Sequence, residues 1–214
     1  MKEEIPKNFK FCELSLFIAN KTLLEITSIL FHKSKEFKPI SKSDTFRFYL
    51  FTLHSTFILE ITKLMEIEDE RRSNNHFASL QKINKKILNI KGNDYSSKFL
   101  NNLKKIELIR QSPIFKKILT LRDSKIAHID KNKKVKPFEF ESFSNREIQE
   151  LFEILNEIKS ILNNCLSVYG GEYYLPTITR TANLLTFFEE YRAFAHSRPV
   201  EFWKWKSENY KKSL

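Results

Sequence analysis

The 214-residue chain is 41% hydrophobic, carries 37 Lys and Arg against 26 Asp and Glu, and has only three glycines and six prolines. That length and apolar fraction suit one folded domain and exclude a disordered chain, and so few turn-makers exclude an all-β fold. No apolar run approaches the roughly 20 residues of a membrane span, and the polar opening MKEEIPKNFK lacks a signal-peptide pattern, so a cytoplasmic protein without membrane contact is expected.

The first expected element is a helix over 9–33, with Leu14, Phe17, Ile18, Leu24 and Phe31 amid polar residues. A polar link runs from Ser34 to Ser43, and Ser43 or Asp44 can cap a second helix. Its apolar positions Phe46, Leu50, Leu53, Phe57, Ile61 and Leu64 recur at three- and four-residue steps. Glu66 to Asn75 reads as a charged loop, 76–90 as a short amphipathic helix with Phe77, Leu80, Ile83 and Ile87, and Gly92-Asn93-Asp94 as a break. The stretch 95–110 is helical and very basic, and Ser112-Pro113 starts a helix through Phe115, Ile118, Leu119 and Leu121. Residues 131–143 form a basic loop containing Pro137. Ser144 and Glu147 have capping-box spacing, opening a helix with Ile148, Leu151, Leu155, Ile158, Leu162 and Cys165 on one face that Gly170-Gly171 stops. Pro176 opens a last helix around Leu184, Leu185, Phe187 and Phe188, before a tail with Phe202, Trp203, Trp205 and Tyr210. The amphipathic segments 44–66, 114–127 and 144–169, joined by short links, predict a bundle of antiparallel helices in a single all-helical domain, 1–214.

The net charge of +11 is not evenly spread: residues 82–136 hold 16 Lys and Arg against 4 Asp and Glu, and the rest of the chain holds 21 against 22. Such clustering is the footprint of a polyanion binder, with a solvated lysine-rich face as the plainer alternative. Lys104, Lys105, Lys116, Lys117, Lys125, Lys131, Lys133 and Lys134 are the candidate RNA contacts. Cys12 and Cys165 lack a CxxC partner and read as buried thiols of a reducing compartment. His32, His54 and His76 have no metal-ligand spacing and no Gly-rich phosphate loop exists, so no metal or cofactor is expected. His54, inside an apolar helix, reads as a hydrogen-bonded core or interface histidine. Arg192 and His196 read as a helix end before Pro199, and the tail aromatics as packing residues that are alternatively able to stack bases.

The chemistry concentrates in Leu121-Arg122-Asp123-Ser124-Lys125-Ile126-Ala127-His128. RNA can be cleaved by its own 2′-hydroxyl, given a group that moves protons near neutral pH and a fixed cation on the phosphorane. His128 can supply the first and the Arg122 guanidinium, which forks onto two oxygens, the second. Asp123 can orient either. On one straight α-helix a six-residue step is about 600°, so Arg122 and His128 point roughly 120° apart. Either the helix ends near Ala127, or the arginine wraps around, or the pair works with its copy in a second subunit.

This segment resembles the signature of the HEPN superfamily: Arg, usually a polar residue next, then His after four to six intervening residues. Arg122, Asp123 and His128 match all three positions. The order of LHSTFILEITKLME (53–66), a serine-led helix over 79–90 and the RD…AH segment is similar to the AbiU2 branch of abortive-infection proteins, over about residues 44–168. The resemblance implies a HEPN-like bundle of four to five core helices over 44–168, with the helix 9–33 and the segment 176–214 as additions. It further implies a homodimer with the two Arg/His sets facing each other. The activity it implies is a metal-independent endoribonuclease of a toxin–antitoxin or anti-phage system, giving a 2′,3′-cyclic phosphate, with an antitoxin or other neighbouring-gene protein as a candidate partner. The alternative is a non-catalytic HEPN module binding RNA or a partner protein. Some HEPN toxins are modified on a Tyr two residues after the His; Asp130 stands there in this chain, which argues against that regulation.

Overall fold

A computed structural model describes residues 7–32, 42–67, 79–91, 96–127, 143–173, 197 and 200–201, with the backbone only at 91, 96 and 125–127. Among the described residues every regular element is helical, as the sequence predicts. Helix α1 spans Lys7–Leu30, α2 Asp44–Leu64, α3 Leu80–Lys91, α4 Ser96–Gln111 and α5 Pro113–Leu121. A π-helical turn, Arg122–Ala127, continues α5, and α6 spans Asn145–Leu166 before a 3-10 turn, Ser167–Tyr169. Phe77 and His76, His128, the expected loop 131–143 apart from Phe143, the expected helix from Pro176, Arg192 with His196, and the tail with Trp203, Trp205 and Tyr210 lie outside the described residues.

Serines set the helix starts, because their hydroxyls accept N–H groups that the first turn leaves without a helical partner. Ser43 Oγ accepts from Phe46 N at 3.2 Å and Ser112 Oγ from Phe115 N at 3.3 Å. Ser79 Oγ accepts from Lys82 N at 3.3 Å, which places the start of α3 at Leu80 and not at residue 76. At α6 the capping box closes in both directions: Ser144 Oγ accepts from Glu147 N at 3.3 Å, and Ser144 N donates to Glu147 Oε2 at 2.7 Å. The far end closes in a Schellman motif, Gly171 N to Leu166 O at 3.0 Å and Gly170 N to Ser167 O at 3.2 Å. Gly170 takes the required left-handed conformation, φ 71°.

The core is one continuous cluster with Phe57, Phe99 and Phe115 fully buried. Helix α6 packs on α1, α3, α4 and α5, while α2 packs on α1, α5 and the π-turn. The apolar faces expected of α2, α5 and α6 are the buried ones. In α1 the structure corrects the expectation. Its core side is Phe9, Cys12, Leu16, Ala19, Leu23 and Ile26, whereas Leu14, Phe17 and Phe31 are exposed. The helix is apolar on two sides, and the side with unbroken three- and four-residue spacing is the one that packs.

Three amides join the helices through this core. Asn84 Nδ2 donates to Leu80 O at 2.7 Å, Asn102 Nδ2 to Asn84 Oδ1 at 2.9 Å, and Asn164 Nδ2 to Asn102 Oδ1 at 3.0 Å. Asn84 and Asn102 are fully buried, so these bonds offset the cost of taking their amides out of water.

Candidate functional site

Arg122 and Asp123 are held by α5. Ile114, Phe115, Ile118 and Leu121 bury one side of this short helix, and Ser112 and Pro113 fix its start. The anchored face runs to the residue before Arg122, which puts the Arg-Asp pair at a defined point on the surface. Arg122 Nε donates to Asp123 Oδ1 at 2.8 Å, with Arg122 half-buried and Asp123 exposed. Neighbours in sequence, the two therefore form a bound cation–carboxylate unit.

At this point the helix widens to i→i+5 hydrogen bonding over Arg122–Ala127. Two hydroxyls compete for the carbonyls beneath: Thr120 Oγ1 donates to Lys116 O at 3.0 Å and Ser124 Oγ to Thr120 O at 2.7 Å. Such side-chain bonds to the i−4 carbonyl loosen and bend α-helices. In place of a straight α-helix, the described backbone continues through Ala127 as a wider turn. His128 lies outside the described residues, as do Lys131, Lys133 and Lys134 and the side chain of Lys125.

Arg110, in the last turn of α4, is a second guanidinium, near enough to Arg122 for their charges to repel. Its Nη1 donates to the Met65 carbonyl at the end of α2. Burial pulls its pKa down; the charge of Glu107 opposes this, and the neighbouring charge of Arg122 adds to it. The sequence reading did not single out Arg110. Its position as a cation in a final helical turn is visible in sequence, but its approach to Arg122 depends on how α4, α5 and α2 meet.

The expected lysine contacts divide into two groups. Lys104 and Lys116 are exposed. Lys105 Nζ is 2.6 Å from Glu157 Oε1, and Lys117 Nζ is 2.8 Å from Glu147 Oε1 and 5.7 Å from the centre of the Phe143 ring. Both therefore tie α4 and α5 to α6. The hydrogen bond from Lys117, first, and those from Ser144 hold the Glu147 carboxyl below the usual range against a smaller opposing effect of burial. A cleft of about 1170 Å³ between the end of α4, the start of α5 and α6 is walled by Glu147, Glu150, Glu153 and Glu157. Lys117 and Arg146 also line it, and Glu147, Glu150 and Glu157 each pair with a cation, Lys117, Arg146 and Lys105.

His54 is fully buried, as expected of a core histidine; its ring nitrogen Nδ1 lies 2.8 Å from the Leu50 carbonyl, so Nδ1 carries the proton and donates. Its ring stands 5.8 Å from that of Phe143. Cys12 and Cys165 are buried thiols outside any disulfide, their pKa values each pushed up to about 12 by burial. Among the described residues no three His, Cys, Asp or Glu side chains group as a metal site, and no helix is long and apolar enough to cross a membrane.

A family model described as AbiU2, of HEPN type, matches residues 15–197 of this chain. No curated protein and no solved structure matches it.

Proposed function

We propose that this chain, which belongs to the AbiU2 family of HEPN proteins, is an endoribonuclease of an abortive-infection or toxin–antitoxin system. The observation that carries the reading is the Arg122–Asp123 unit at the exposed end of an anchored helix, where α geometry gives way to a π-turn leading to His128. π-turns are rare and are frequent at functional sites.

The proposed chemistry uses the substrate's 2′-hydroxyl as nucleophile. His128 accepts the proton of that hydroxyl, or donates one to the departing 5′-oxygen. The oxygen–phosphorus bond to the 2′-oxygen forms as the bond to the 5′-oxygen breaks, leaving a 2′,3′-cyclic phosphate and a 5′-hydroxyl. Arg122 forks onto two non-bridging oxygens, where negative charge grows in the transition state. Asp123 holds the Arg122 side chain in place, and Arg110 adds positive charge alongside. A second copy of the chain, facing the first, brings a second Arg122 and His128 to the site. The exposed Lys104 and Lys116 hold the RNA backbone, and an antitoxin encoded nearby keeps the enzyme silent.

The test incubates wild type, Arg122→Ala and His128→Ala with total cellular RNA in EDTA and types the fragment ends. Cyclic phosphate ends from the wild type alone are expected, with each variant slowed by about 10²–10⁴. Folding and RNA retention should be unchanged in His128→Ala, and expression of the wild type alone should arrest growth. RNA binding without fragments from the wild type would replace the enzyme by a binding module. Equal fragments from all three proteins would remove the site.

A further inference from the structure

Two guanidiniums of like charge come together where α4 turns into α5. Helix α5 begins at Pro113, directly after the Ser112 that follows α4, and its nine residues span only about 13 Å. Helical side chains lean toward the N-terminal end of their helix, so Arg122 leans back along α5 toward the junction where Arg110 stands. Helices α4 and α5 pack on each other, and α5 and the π-turn both pack on α2, whose final carbonyl, Met65 O, holds Arg110.

A guanidinium carries five N–H groups, and the protein occupies few of them here. Among the described residues Arg122 donates from Nε to Asp123, and Arg110 donates from Nη1 to Met65 O. Glu107 acts on Arg110 through space, while its Oε1 accepts from Gln111 Nε2 at 2.8 Å. A residue that only closed the end of α2 would need a single donor, which a lysine or an amide supplies. Two half-buried arginines with repelling charges and unused N–H edges are instead stabilised by an anion, and a guanidinium edge matches a phosphate. We propose that Arg110 is a direct RNA contact that holds the phosphate next to the one on Arg122, so that the chain selects a strand with consecutive phosphates. The proposal rests on the reading of Arg122 as a phosphate contact, but not on cleavage.

The test titrates the full chain, by nuclear magnetic resonance, with two fully 2′-O-methylated oligomers that end in 5′-hydroxyls: a dimer with one phosphate and a trimer with two. The wild type should bind the trimer roughly tenfold tighter or more, the worth of a charged hydrogen-bonded contact. Arg110→Gln should cut that advantage to under about threefold while the dimer changes little, and Arg122→Gln should weaken both oligomers. Arg110→Lys, which keeps the charge and loses the fork, should fall between. Glutamine and lysine each keep an N–H for Met65 O, so the melting temperatures should match; if Arg110→Gln melts lower, Arg110→Lys carries the comparison. On a 2′-O-methyl dodecamer, Arg110→Gln should also lower the slope of log affinity against log salt by about 0.7, one phosphate contact on a single strand. An equal trimer advantage in wild type and the Arg110 variants, an unchanged salt slope in Arg110→Gln, wild-type dimer affinity in Arg122→Gln, or no trimer binding by the wild type would each overturn the proposal. These oligomers lack the 2′-hydroxyl, so a failure to find fragments in total RNA would remove the enzyme and leave this contact standing.

Discussion

Arg122 and Asp123 stand at the end of a helix whose buried side anchors them, and a hydrogen bond joins guanidinium to carboxylate. Their hydrogen bond is between chain neighbours and follows almost from adjacency. Arg110 was not legible, because its relation to Arg122 exists only after α4 and α5 have turned against the end of α2. Lys105 and Lys117 show the opposite error of a one-dimensional reading: both belong to the basic block, yet glutamates of α6 take their charges. His54 gives a titratable consequence at this scale. Burial holds its pKa below the ordinary 6.5, with the Leu50 hydrogen bond opposing in part. The folded state therefore keeps His54 neutral while the unfolded chain takes up a proton near 6.5. That difference leaves stability whole above about pH 6.5 and lowers it on acidification through the folded value. The urea midpoint of the wild type should fall between pH 7 and pH 5, and His54→Leu should flatten the slope whatever it does to the baseline. An equal slope in the two proteins would assign the acid sensitivity elsewhere.

Among the elements, α2 and α6 were read nearly to their ends, because a single apolar face and a serine cap agree in each. Helix α1 was placed but its inward side was misread, since apolar residues on two sides leave the period with two solutions. The π-turn had no sequence signature. Its wider hydrogen bonding depends on competition for a few carbonyls and not on composition. The capping box of α6 allows a quantitative check. Ser144→Ala removes the acceptor for Glu147 N and should cost about 1 kcal/mol in chemical denaturation. It should also free Glu147 to move away from Lys117, so the bond between α5 and α6 weakens with the cap. A cost under a few tenths of a kcal/mol would mean that the cap is redundant.

For the whole molecule, the all-helical class followed from length, few glycines and few prolines, and the charged block from simple counting. What counting does not supply is the pairing of those charges, because Lys105 and Lys117 meet glutamates of α6 only once the helices have packed. The asparagine ladder is equally invisible from one strand of text. Each amide lies in a different helix, and nothing in their spacing pairs them. Asn102 is the middle member. Asn102→Ala leaves Asn84 Oδ1 and Asn164 Nδ2 without this partner in a low-dielectric interior, and should destabilise the fold by about 1–3 kcal/mol. Replacing all three with apolar residues of similar volume should cost less than the single change, by the same denaturation measurement. If the triple replacement is instead the more damaging, the ladder stabilises beyond satisfying its own polar groups.

The π-turn carries one more consequence, for how this segment tolerates changes of length. In an α-helix every added or removed residue rotates all that follows by about 100°, so insertions and deletions are disruptive. A turn already wound more widely than that period can give up a residue by tightening, while the buried side of α5 ahead of it stays in register. Between Asp123 and Ala127, then, single-residue deletions are expected to spare the bundle and shift only the approach to His128. That makes the turn the place where related chains can vary in spacing without rebuilding the protein around it.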